Sequence, residues 1–129
     1  MVMDSTGSCL IGGDHIIRIR QWLPMDQLVN RLAAADAVVL WYPDIDAYVS
    51  SSAVCQALAT LRLVIVNDVR WFKDIPKDVA IRVKDEQELY EKLSTIDKYS
   101  GNPKQLEYVL RHQWRQIAQK YLELLGGNE

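Results

Sequence analysis

Three consecutive serines, Ser50-Ser51-Ser52, stand directly before a stretch with helical spacing, Ala53 to Thr60. A helix start offers unpaired backbone N–H groups and the positive end of its dipole, and serine hydroxyls add donors, so the spot suits a diphosphate. Plain helix capping is the simpler use of the same residues, and one hydroxyl is enough for it. Gln56 follows Ser52 by one helical turn and shares its face, where an amide either meets ribose hydroxyls or is simply solvated. Asp44, Asp46 and Asp68 lie in neighbouring loops. Asp44 and Asp46 form a D-x-D string that can chelate Mg²⁺ or Mn²⁺ through phosphates, but the string is short and frequent. Loop aspartates usually make turns, so no metal and no other cofactor is expected. Trp22 and Trp71 also fall in loops. Each has the size to stack on a base, although filling the space between helix and sheet is the more ordinary role.

Other chemistries are excluded by what the chain lacks. His15 and His112 stand about a hundred residues apart with no motif around either, so neither reads as a catalytic histidine. No G-x-S-x-G, P-loop, G-x-G-x-x-G or H-E-x-x-H occurs. The absence of any glycine between Gly13 and Gly101 argues against a glycine-cradled phosphate site in the core. Cys9 and Cys55 have no C-x-x-C partner, so two structural thiols in a reducing cytoplasm are expected, with Cys55 on the buried face of a helix. The net charge of -2 recommends no nucleic acid. The longest apolar run, Ala33 to Tyr42, is interrupted by Asp36 and is too short to span a membrane. Met1 to Ile11 has no basic region followed by an apolar stretch, so no signal peptide is read there.

The elements that must position these residues follow from periodicity. Apolar residues make up 49% of the 129 residues and charged residues 25%, the balance of a globular chain. Residues 1–14 read as a weakly ordered segment and residues 15–129 as one domain. His15 to Arg20 alternates as a short strand. Pro24 opens a helix with Met25, Leu28, Val29 and Leu32 on one face. Ala37 to Tyr42 suits a strand covered on both faces, and Leu63 to Val66 a second buried strand. Val79 to Val83 alternates enough to sit near a sheet edge. Asp85 and Glu88 have capping-box spacing ahead of a helix bearing Leu89, Leu93 and Ile96. Asn102-Pro103 starts a last helix with Leu106, Leu110, Trp114, Ile117, Tyr121 and Leu125 on one face, ending at Gly126-Gly127. This alternation predicts an α/β fold, an open parallel sheet with helices on both faces. Ligands of such sheets bind beyond the carboxyl ends of the strands, here Trp22-Leu23-Pro24, Tyr42 to Ser52, Asn67 to Pro76, and Lys84-Asp85.

The order of these segments resembles a family. Trp22-Leu23-Pro24-Met25-Asp26-Gln27-Leu28, then Leu32-Ala33-Ala34-Ala35-Asp36-Ala37-Val38-Val39-Leu40-Trp41-Tyr42-Pro43, is similar to the C-terminal domains of retaining, glycogen-synthase-like GT-B glycosyltransferases. Those carry an "aaaDavvlp" strand, a loop, and a helix ending "EAlAcGkPVi", which here reads Gln56-Ala57-Leu58-Ala59-Thr60-Leu61-Arg62-Leu63-Val64-Ile65. The likeness runs from about Ile16 to Leu125 and resides in the series rather than in any single site. It implies a Rossmann-like half-domain that binds a nucleoside-diphosphate sugar through Tyr48, Ser50, Ser51, Ser52 and Gln56, with Trp22 and Leu23 beside them. It also implies an acceptor-binding N-terminal domain, or a second copy, as partner. Departures are clear. Tyr48 and Gln56 occupy the places of the family's two glutamates, Leu61 and Leu63 replace its glycine and proline, and its basic pair has no counterpart. Activity of this chain alone is therefore not expected, and a degenerate module used for protein interaction is the alternative. A nucleoside deoxyribosyltransferase shares the strand-helix pattern, but it needs a glutamate where Gln56 stands.

Overall fold

The computed structural model describes residues 2–3, 15, 17–19, 21–47, 49–96 and 101–126. In chain order the elements are β1 (Val2–Met3), β2 (Arg18–Ile19), α1 (Met25–Ala33), β3 (Ala37–Leu40), α2 (Ser52–Ala59) and β4 (Leu63–Asn67). A 3₁₀ turn at Arg70–Phe72 follows, then β5 (Ile81–Val83), α3 (Glu86–Ser94), α4 (Pro103–Arg111) and α5 (Trp114–Leu124). The chain is an α/β protein. Its main sheet has the order β3-β4-β5 and is parallel throughout, with Ala37 opposite Leu63 and Ile65 opposite Ile81. β1 and β2 form a separate parallel pair.

β4 is central because its β-branched run is buried at all five positions. Alternation sends Val64 and Val66 to one face, where Val54, Ala57 and Leu58 of α2 meet them together with Phe72 and Ile75. Leu32 of α1 and Tyr108 and Val109 of α4 close the rim of that cluster. Leu63 and Ile65 point to the opposite face, covered by Leu89 of α3 and by Ile96. Helices thus lie on both faces, and β5 is an edge strand as its alternation predicts.

Local signals set the helix starts. Asp85 accepts from the Glu88 amide at 2.8 Å, and Glu88 reaches back to the Lys84 amide at 2.9 Å, a capping box displaced by one residue. Asn102 accepts from the Lys104 amide at 3.0 Å, with Pro103 at the first helical position.

Several expectations are corrected. The single last helix is two, α4 and α5, separated where Gln113 adopts an extended backbone. The stripe from Leu106 to Leu125 does not face the core. α4 instead buries Gln105 and packs Tyr108 and Val109, because its docking site is α2 rather than the sheet. The strand expected from Ala37 to Tyr42 ends at Leu40 and is not covered on both faces, since Val39 is 38% exposed. Cys55 is exposed on α2, not buried, because Val54, Ala57 and Leu58 occupy that helix's inner face. Apart from Val2–Met3, the proposed weakly ordered segment 1–14 lies outside the described residues, as does Tyr48.

Candidate functional site

The carboxyl ends of β3 and β4 are joined by one side chain. The Asn67 amide accepts from the Tyr42 N–H at 3.0 Å and donates to the Tyr42 carbonyl at 2.7 Å. It therefore replaces the ladder pair that the end of β3 no longer supplies, and both its oxygen and its nitrogen find a partner on one residue. Tyr42, so fixed, lays its ring edge-on to Trp71 (centroids 5.3 Å apart) and against Phe72 (5.2 Å). Trp71 donates from Nε1 to the Pro43 carbonyl at 3.1 Å. The Arg70 amide donates to Asp44, and its guanidinium pairs with Asp46. The loop after β3 and the connection after β4 are thus fastened to each other at several points.

This arrangement decides what the serines do. Ser51 is the N-cap residue of α2, yet its hydroxyl does not cap the helix. It donates instead to the Tyr42 hydroxyl at 3.2 Å and is buried. Among the described residues no side chain caps α2, which leaves its first-turn N–H groups available as donors. Ser50 and Ser52 are exposed beside them, and Gln56 is half-buried one turn further on. The helix begins at Ser52, one residue earlier than its spacing suggests.

Leu23 is buried, whereas Trp22 is 87% exposed and does not fill the gap between helix and sheet. Trp71 packs on Tyr42 as a space-filling ring. Asp44 and Asp46 face Arg70 rather than a common metal position, and no cluster of metal-ligating side chains occurs among the described residues. Three cations of this edge, Arg70, Lys73 and Arg82, are engaged. Arg82, mostly buried, donates to the carbonyls of Phe72 and Ile75 and approaches Asp68 at 3.8 Å; Lys73 approaches the same carboxylate at 3.9 Å. His112 ends α4 with its ring stacked on Tyr108 at 4.0 Å, a helix-terminal contact.

Sequence reasoning missed Asn67, Tyr42 and Arg82. One signal was legible for the first: a lone amide closing an otherwise apolar buried strand must find partners. On the outer side of α2, partial desolvation of the thiol by its neighbours first and the Asp74 carboxylate second push Cys55 above its ordinary 9.0, although the residue as a whole is exposed. Burial, then Asp74, likewise raises the Tyr108 phenol above 10.0. Neither group is poised as a nucleophile at neutral pH. No helix among the described residues is long and apolar enough to cross a membrane. No protein-family model, curated protein or solved structure matches the chain.

Proposed function

We propose that the chain is the nucleotide-sugar-binding part of a cytoplasmic glycosyltransferase, its parallel sheet being the Rossmann-like half of a GT-B enzyme. The observation that carries this reading is the uncapped start of α2 at the carboxyl edge of the sheet. Ser51 turns its hydroxyl to Tyr42, while Ser50 and Ser52 stay exposed around the free N–H groups. A diphosphate there gains both the amides and the helix dipole, and Gln56 is within a turn for ribose hydroxyls. Leu61 adds support. It holds φ 56, a left-handed conformation natural to glycine, at the position where the resembled family has its glycine. Transfer needs cations on the departing diphosphate, but Arg70, Lys73 and Arg82 are paired with Asp46 and Asp68. The chain alone therefore binds a donor and requires a second domain or subunit to turn it over.

Amide NMR with millimolar UDP-, GDP- and ADP-sugars tests this. Shifts centred on Ser51, Ser52 and Ala53, weakened in Gln56→Ala, are expected. Silence with all three ligands refutes the reading. A degenerate module that docks a protein is the second reading, favoured by the exposure of Trp22, Val39 and Trp41. A dimer indifferent to nucleotide sugars supports that one instead.

A further inference from the structure

α5 sorts its residues by face. At about 100° per residue, Trp114, Ile117, Tyr121, Leu122, Leu124 and the following Leu125 fall within an arc of about 160°. Gln116, Gln119 and Glu123 fall on the other side. Arg115 and Lys120 stand at the two borders of the apolar arc, and Glu123, the one carboxylate of the helix, stands opposite its centre.

Among the described residues this face is left largely uncovered. α5 buries no residue; Trp114 is 88% exposed, Leu124 82% and Leu125 83%. The side turned toward α4 is the polar one, since Gln116 and Lys120 line the open groove between the helices with Leu106 and Leu110. A helix docked on its own core does the reverse. The charge of this region also departs from the rest. α4 and α5 hold Lys104, Arg111, Arg115 and Lys120 against Glu107 and Glu123, a positive excess on a chain whose net charge is -2. Glu107 is itself paired with Arg111 and Lys104.

We propose that α5 is a peripheral membrane-binding helix that lies in the interface of an anionic lipid surface. The apolar arc enters the boundary between headgroups and acyl chains, with Trp114 and Tyr121 suited to that depth. Arg115 and Lys120 extend their stems along the apolar surface and place their charges among the lipid phosphates. Glu123 faces water. A partner lacking negative charge leaves the two border cations without a role, and a purely hydrophobic protein groove leaves them against apolar walls. This inference does not depend on nucleotide-sugar binding.

Flotation of the full chain with phosphatidylglycerol and phosphatidylcholine vesicles is the test. Binding to phosphatidylglycerol at low salt is expected, at least tenfold weaker on phosphatidylcholine and declining as salt rises. Arg115→Gln and Lys120→Gln each lower it about fivefold. Trp114→Glu and Leu125→Glu abolish it with the circular-dichroism spectrum unchanged, since neither side chain supports the core. Glu123→Gln leaves binding equal or stronger. No binding to phosphatidylglycerol, or equal binding to both lipids, overturns the proposal. So does a vesicle-independent dimer, seen by light scattering and dispersed by Trp114→Glu, which assigns the face to a second copy.

Discussion

Leu61 is held at φ 56, just past the end of α2, where its amide donates to the Leu58 carbonyl at 3.0 Å. That bond belongs to the turn by which helices close through a left-handed residue. A side chain in this conformation costs about 1–2 kcal/mol from the approach of Cβ to the backbone. Glycine removes that cost but gives back about 0.4–1 kcal/mol in unfolded-state freedom. Leu61→Gly alone confounds these with the loss of a partly buried side chain, so the informative comparison is with Leu61→Ala. Both variants lose nearly the same apolar surface, and only alanine keeps the strain. Leu61→Gly is expected to be more stable than Leu61→Ala by about 1 kcal/mol, the reverse of their order inside a helix. For a domain of this size that difference is about 3–5 °C in Tm. Urea unfolding of both variants with equal m-values reads it directly. If the alanine variant is as stable as the glycine variant, the left-handed assignment and the argument from it are wrong.

Gln105 is 1% exposed and donates from Nε2 to the carbonyls of Leu58 and Arg62, each at 3.0 Å, fixing α4 to the end of α2. Gln105→Leu leaves both carbonyls without that donor and is expected to cost about 2 kcal/mol; Gln105→Glu costs more, because a carboxylate has no donor and buries a charge. Denaturant titration that finds the leucine variant as stable as the parent defeats this account. Cys55 and Tyr108 both have raised folded-state pKa values, so the folded chain holds their protons more tightly than the unfolded one. Their contribution is fully present below about pH 9 and is lost as pH rises through the folded values. Thermal stability is expected to fall in the alkaline range, and Cys55→Ser should flatten the early part of that fall. An unchanged alkaline profile in Cys55→Ser counts against the desolvation of that thiol.

How much was legible in advance depended on whether a residue's role is local. The β-branched run at β4 is apolar with no face spared, which requires cover on both sides, and the structure supplies it. Asp85 and Glu88 determine a helix start with atoms three residues apart, so their spacing was sufficient evidence. Ser51 lies at the other extreme. Its spacing predicts a capping hydroxyl, and it does not cap, because the fold brings the Tyr42 hydroxyl to it.

The sequence by itself determined the alternation of strands and helices from α1 to α3, the parallel class of the main sheet and the positions of the loops after β3, β4 and β5, because hydrophobic period and capping act within a few residues; the segment before Trp22 pairs outside that sheet. Only the tertiary structure decided which side chains meet at that edge. Asn67 reaches Tyr42 across 25 positions, and Arg70 reaches Asp44 and Asp46 across more than twenty, so no local pattern encodes either contact. The structure also decided that the last apolar stripe faces outward. A periodicity of apolar residues shows that a helix has an apolar face, but not whether the core or another surface covers it, and here Gln105, Tyr108 and Val109 had already taken the place against α2. At the start of α2, the serines marked where the helix begins, and the Tyr42 hydroxyl, brought there by the fold, drew Ser51 away from capping it.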